Sequence, residues 1–188
     1  MIRLRKVYYS YPGPGGHTLL ALWNINLEIL PGSFTSVIGP NNSGKSTLGR
    51  IMAGLLSPSE GQVFLEGLEI AQWDPTLLHK VIGLVFPSPD EQIVFPTVED
   101  DLAFGLENLC LHPDQVKKKV IDILRFLEME ECLQFHIQHL SGGQKQKIAI
   151  AAMIARGLRY LILDDPTSFL DPESKSEVLA LIQRIHQE

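Results

Sequence analysis

The sequence predicts an α/β fold: a mixed sheet, parallel at its centre, with an antiparallel β part at the N-terminal end and a helical insert. Three observations predict it. The first third reads as strands separated by turn formers. Later strand-like runs alternate with turns and helical periodicities, the pattern of a sheet with parallel strands. The stretch from about residue 89 to 138 carries helical spacing almost alone. Composition agrees, because 188 residues with 45% hydrophobic, 20% charged and a formal net charge of −6 describe one ordinary globular domain. A disordered tail, a collagen and a coiled-coil rod are excluded, and the acidic balance weighs against nucleic acid as a partner. The longest apolar run, Ile148–Ala155, has eight residues, where a membrane-spanning helix needs about 20. No apolar segment follows the basic Met1–Lys6, so the cytosol is the expected compartment.

The elements follow in order. Ile2–Tyr9 is rich in Val and Tyr, and Trp23–Leu30 alternates Ile25, Leu27 and Ile29 with polar neighbours, which predicts two strands joined through Pro12-Gly13-Pro14-Gly15-Gly16. A third strand is expected at Phe34–Ile38. Leu48, Ile51, Met52 and Leu55 predict a helix over Thr47–Leu56. Strands are expected at Gln62–Leu65, Ile82–Phe86 and Tyr160–Asp164. Val116, Val120, Ile123, Leu124 and Leu127 mark one face of a helix that Pro113 can open. The last helix takes Asp171 as N-cap and Pro172 in its first turn, with Val178, Leu181, Ile182 and Ile185 on its apolar face. The organisation expected is one domain, with a core from 1–88 and 155–188 around a helical part at about 89–154.

Smaller signals have plain readings. Cys110 and Cys132 lack metal spacing and are expected as reduced packing residues. Lys117-Lys118-Lys119 predicts a solvated helix face. His136 and His139 have no third ligand near in sequence. Asp100-Asp101 is expected to support a helix start at Thr97 or Val98.

One motif carries chemistry. Gly39-x-x-x-x-Gly44-Lys45-Ser46 fits the phosphate-binding loop at every fixed position. A triphosphate needs many N–H donors near its oxygens, glycines let the backbone approach, and the following helix points its positive end at the anion. The candidate site is therefore Gly39, Asn41, Asn42, Ser43, Gly44, Lys45, Ser46 and Thr47, in a P-loop NTPase core. Lys45 can bridge the β- and γ-phosphates, and Ser46 can ligate Mg²⁺. Asn42 stands where many such loops carry glycine; asparagine tolerates the left-handed conformation.

A second motif narrows the reading. Leu140-Ser141-Gly142-Gly143-Gln144 resembles the signature sequence of ATP-binding cassette (ABC) proteins. Leu161-Ile162-Leu163-Asp164-Asp165-Pro166 resembles a Walker B strand, and Ser168-Phe169-Leu170-Asp171 resembles the D-loop. The elements stand in the family's order and cover most of the chain. Ser141 and Gln144 also form an S-x-x-Q capping box, and the two readings are compatible. Within the family the chain is similar to the ATPases of energy-coupling-factor importers for vitamins and cobalt or nickel ions. The residues are Phe86-Pro87-Ser88-Pro89-Asp90-Glu91-Gln92-Ile93-Val94 and Thr97–Gly105.

The resemblance implies an ATPase that uses ATP and Mg²⁺. It implies that Tyr11 stacks on adenine, where the residue alone also allows packing on the sheet edge. It implies metal contacts from Ser46 and Asp164, and catalytic roles for Lys45 and for Asp165, which stands at the position of the family's catalytic glutamate. Ser141, Gly142, Gly143 and Gln144 would act in trans, on the nucleotide of a second ATPase subunit, identical or different. An integral membrane transport subunit would be the other partner, with Phe95–Leu109 as its contact surface or as an ordinary core helix. The location implied is peripheral, on the cytoplasmic face of the cell membrane. Two alternatives stand beside the importer subunit: a binding-only regulatory subunit that completes a partner's site, and a soluble non-transport ABC protein.

Three departures qualify the match. Asp165 is one methylene shorter than the family's glutamate. Pro87 replaces the glutamine that senses Mg²⁺ and the γ-phosphate, and it has no side-chain amide. The sequence given stops at Glu188, before the strand that carries the family's switch histidine, and His186 does not match that position; a truncated and a naturally short chain both stay open. The expectation is a chain that binds ATP, offers an intact signature to a partner and hydrolyses its own nucleotide slowly.

Overall fold

The computed structural model describes residues 1–107, 109 and 111–187; Cys110, expected as a packing residue, lies outside them. The chain divides into two units, Met1–His79 and Lys80–Glu188.

The first unit is built on β1 (Ile2–Pro12) and β2 (Thr18–Ile29), followed by α1 (Lys45–Met52), β3 (Glu60–Leu65), β4 (Leu68–Glu69) and α2 (Pro75–Leu78). The strands form one antiparallel sheet in the order β2-β1-β3-β4. Period-two alternation buries Ile2 and Leu4 of β1 and Val63 and Leu65 of β3. The β1–β2 register shifts between Leu4 and Val7. There Lys6 takes φ 47°, and its N–H donates to Asn26 Oδ1 at 3.0 Å instead of to the ladder. α1 buries Leu48, Ile51 and Met52 as predicted but ends sooner than expected. Gly54 takes φ 75° and the Leu55 N–H donates to the Arg50 carbonyl at 2.8 Å, a left-handed stop that glycine favours.

The strand expected at Phe34–Ile38 is not assigned as one. Phe34, Val37 and Ile38 are exposed. An apolar run specifies an extended segment, but a strand exists only through the ladder it forms with a neighbour.

The second unit contains β5 (Ile82–Val85), α3 (Val98–Glu107), α4 (Pro113–Leu127), α5 (Gly142–Ala155), β6 (Tyr160–Leu163) and α6 (Pro172–Gln187). β5 and β6 pair in parallel, from Ile82↔Tyr160 to Val85↔Leu163. Val120 and Leu124 of α4, Ile148 and Ile150 of α5 and Val178 of α6 meet in one core. The faces predicted for α4 and α6 are the faces that are buried, with Ile123 and Ile185 packed at the margin. Asp171 caps α6, its carboxylate accepting from the N–H groups of Glu173 (3.1 Å) and Ser174 (3.0 Å). α4 takes an unexpected cap, His112, whose Nδ1 accepts from the Asp114 N–H at 3.4 Å.

The acidic pair divides: Asp100 supports the helix start as expected, its carboxylate accepting from the Thr97 hydroxyl, whereas Asp101 does not. Thr97 accepts from the Asp100 N–H through Oγ1 at 3.2 Å at the start of α3. Asp101 is buried and turns back instead, accepting from the N–H groups of Val94 (2.8 Å) and Phe95 (3.1 Å). Its carboxylate therefore closes the preceding loop. Lys117, Lys118 and Lys119 are exposed. Cys132 is buried, and desolvation followed by the Glu131 charge pushes its thiol above the usual range. Among the described residues no helix is long and apolar enough to cross a membrane, and no group of His, Cys, Asp and Glu could hold a metal by itself.

Candidate functional site

In the first unit, the segment 39–46 bends into a cradle whose shape is set by its own chain. Asn42 takes φ 63° and Gly44 φ 90°, so the asparagine occupies the left-handed region that its short amide tolerates. A Cβ added at Gly44 would lie 2.5 Å from the Ala21 carbonyl oxygen and 2.9 Å from Leu22 Cδ2. At Gly39 it would lie 2.8 Å from Ser43 Oγ. Gly44 is thus required by space and by its left-handed backbone, while at Gly39 the Ser43 hydroxyl would have to turn away. The Ser43 N–H donates to the Pro40 carbonyl at 3.3 Å. Lys45 Nζ donates to the carbonyls of Gly39 (3.0 Å) and Pro40 (2.8 Å), tying the ammonium across the mouth of the loop. Among the described residues no side chain caps α1, and an uncapped helix N-terminus is one that an anion can meet. Asn41 and Asn42 are exposed on the loop, Ser46 lies in the first turn of α1, and Thr47 is buried behind it.

Tyr11 lies near the end of β1, opposite Leu19. Its hydroxyl and Thr47 Oγ1 are 3.1 Å apart in a hydrogen bond, and its ring meets Tyr9 edge to face at 4.9 Å between centroids. The sequence could not show that the tyrosine touches the P-loop helix, because Thr47 is 36 residues away.

In the second unit, Ser141 caps α5. Its Oγ accepts from the Gln144 N–H at 3.2 Å, and Gln144 Oε1 accepts from the Ser141 N–H at 2.9 Å, the reciprocal box that the spacing predicted. Gly142 and Gly143 form the first turn. A Cβ at Gly143 would lie 2.6 Å from both Cβ and Oγ of Ser174 on α6, and one at Gly142 would lie 3.4 Å from Leu170 Cδ2. Gly143 is therefore required by Ser174 on a distant helix, a dependence with no sequence signal. The Asp171 cap at that same end is held below the usual carboxylate range, first by the Ser174 N–H and then by its hydroxyl.

Asp164 follows β6, is buried, and donates its N–H to the Val85 carbonyl at 2.9 Å. Asp165 is exposed at φ 47°, and its carbonyl accepts from Ser168 N–H (3.2 Å) and Oγ (3.1 Å). Pro87 lies in the loop after β5. Gln92 Oε1 accepts from the Phe86 N–H at 3.3 Å, and its Nε2 donates to the Ala149 carbonyl at 2.9 Å. Gln146, which the sequence reading passed over, is fully buried on α5 and donates through Nε2 to the Phe86 carbonyl at 3.3 Å.

The ABC transporter family model matches residues 22–168. The energy-coupling factor transporter ATP-binding protein EcfA of Pediococcus pentosaceus is 43% identical over 191 residues, covering all of this chain and 66% of that protein. EcfA1 of Mycoplasmopsis synoviae is 40% identical over 185 residues, 98% of this chain and 69% of its own. The chain thus spans about two thirds of the length of these relatives. Among solved structures, cbiO1 of Clostridium perfringens, part of the ABC transporter complex cbiONQ, superposes with a TM-score of 0.84 at 33% identity over 99% of this chain and 73% of that one. The ATP-binding cassette MJ0796, a dimer bound to ADP and Pi, gives a TM-score of 0.85 at 29% identity over 100% and 83% of the two chains. The family model over residues 22–168 and the relatives at 40–43% identity along almost the whole chain show that this chain belongs to the ABC transporter ATPase family.

Proposed function

We propose that this chain is the ATP-binding subunit of an energy-coupling-factor importer for a vitamin or a metal ion. It binds Mg-ATP on Gly39–Thr47, lends Ser141–Gln144 to the nucleotide of a second ATPase subunit, and hydrolyses its own nucleotide slowly. The observation that carries the reading is the cradle: a left-handed Gly44 that cannot be replaced without collision, a helix end that among the described residues no side chain caps, and a lysine spanning the loop mouth. That donor set fits a triphosphate. Lys45 holds its charge at the point where the terminal phosphates arrive, and the loop carbonyls it now contacts yield to stronger, charged acceptors. Ser46 offers a hydroxyl oxygen and Asp164 a carboxylate oxygen, both suited to Mg²⁺. Bound Mg²⁺ would neutralise charge on the β- and γ-phosphates. Tyr11 offers a π-face near the same helix, worth about 1–3 kcal/mol to a base.

The weak hydrolysis rests on two residues. Asp165 stands where the base would be, shorter by about 1.5 Å, and a misplacement of about 1 Å costs about 10²-fold. Its left-handed backbone is one that aspartate tolerates and that glutamate adopts at greater cost. Pro87 offers no amide, and Gln92 spends both ends of its own amide on Phe86 and Ala149. These features also favour the second reading, a binding-only subunit that completes a partner's site. The membrane subunit is assigned to the surface of Phe95–Leu109. Phe104, Val94 and Phe135 are exposed there, with the Phe95 and Phe104 rings 5.0 Å apart. The helical part at about 89–154 would carry nucleotide-driven motion to that surface, on the cytoplasmic face of the membrane.

Calorimetry with Mg-ATP tests the binding. The wild type should bind, and Lys45→Ala should weaken binding about 100-fold through loss of charge-assisted bonds. No heat from the folded wild type refutes the nucleotide reading. Turnover of the purified chain near about 10 s⁻¹, the enzyme median, refutes the impaired site.

A further inference from the structure

The loop after β5 is gripped at both backbone groups of one residue. Phe86 has its N–H accepted by Gln92 and its carbonyl bonded by Gln146. Gln92 then passes the connection on to the Ala149 carbonyl. Gln146 and Ala149 both lie on α5, three residues apart on its buried face with Gly143. Outside this pair Lys145, also on α5, meets Asp90 at 2.8 Å. Pro87 restricts Phe86 to extended backbone, and the Gln92 N–H donates to the Pro89 carbonyl at 3.0 Å. The loop therefore has few conformations of its own and three separate attachments to one helix.

Gln146 is an expensive way to fill a core. It is fully buried, and among the described residues its Oε1 has no hydrogen-bond partner. A methionine would occupy the same space without burying an unpaired acceptor. The cost is understandable if the single bond it makes has a use. Gln146 sits one turn beyond Gly142 and Gly143, so a tie from Gln146 to Phe86 fixes the rotation and height of the turn that presents Ser141.

We propose that Gln92 and Gln146 are positioning residues that lock residues 86–92 to α5, so that the loop and the Ser141–Gly143 turn move as one body, with Lys145–Asp90 as an outer strut. The role in turnover rests on the reading that Ser141–Gly143 serves a partner's nucleotide. In a loop where Pro87 has no amide to reach outward, the glutamines turn the contact inward, onto the helix of the same chain.

Amide exchange in the purified chain tests the lock without turnover. In Gln146→Met, the acceptor of the Phe86 N–H is untouched, yet its exchange should rise about 5- to 100-fold, the factor expected for a lost buried hydrogen bond. Unchanged Phe86 exchange in a folded Gln146→Met overturns the proposal. In the transporter assembled with its partner ATPase, Asp90→Lys and Lys145→Glu should each lower kcat with KM for ATP held within about twofold, and the double reversal should restore it. A double variant no better than either single removes the strut from the mechanism. A wild-type assembly without ATPase activity refutes the functional reading above, while the exchange result still decides the lock.

Discussion

The two helix starts, at Lys45 and at Gly142, are built by opposite means. Among the described residues α1 has no side-chain cap; its first residues follow a left-handed glycine, and a lysine, a donor, reaches across the loop. α5 is closed by a full capping box, so Ser141 and Gln144 satisfy part of the end themselves. The first arrangement leaves anion-binding capacity open and depends on backbone shape. The second is stable by itself and depends on what packs against it, since Gly143 exists to admit Ser174. Under the proposed function, the first would hold a triphosphate by backbone shape and the second would meet a nucleotide held elsewhere with a turn that is rigid beforehand.

The largest effect that sharpens this contrast is expected at Gly44. Gly44→Ala forces a Cβ into the Ala21 carbonyl at φ 90°, and left-handed strain plus overpacking should cost roughly 2–4 kcal/mol in urea unfolding. A cost under about 0.5 kcal/mol would show that the loop shape is negotiable. Gly143→Ala comes next, at roughly 1–3 kcal/mol from collision with Ser174. Adding Ser174→Gly should recover at least half, and no recovery would mean the cost is local to α5. Ser141→Ala should cost about 1 kcal/mol, the value of a lost N-cap, measured by the same melts; α1 offers no equivalent side chain to remove. The smallest effect is a pH dependence at α6. The folded-state pKa of Asp171 is lowered, so its stabilisation is fully present above the unfolded value of about 3.8 and is lost as pH falls below it. Asp171→Asn should flatten the stability profile in that acid window by lowering stability above it while leaving the acid end nearly unchanged, as acid titration of unfolding would reveal.

Much of the site was legible because its logic is local. Gly39, Gly44, Lys45 and Ser46 lie within one loop and one turn, so spacing alone described the cradle, and Asn42 took the left-handed backbone its side chain suggested. The capping box of Ser141 and Gln144 was equally local. The faces of α4 and α6 followed from period, because burial selects apolar residues at helical spacing. Asp101 was misread for the complementary reason: its sequence position fits a helix start, but the N–H groups it satisfies belong to the preceding loop. Phe34–Ile38 looked like a strand because its composition suits one, yet no ladder is assigned there.

By itself the sequence determined the glycine-lysine loop ahead of α1, the order of the family's motifs and the buried helix faces, since these depend on residues within a few positions of one another. Only the tertiary structure decided why Gly143 must lack a side chain, why Tyr11 touches Thr47, and why a buried glutamine holds the peptide of Phe86. Each of those joins residues 30 or more apart, and contacts at that range are set by how elements pack, which no local pattern encodes.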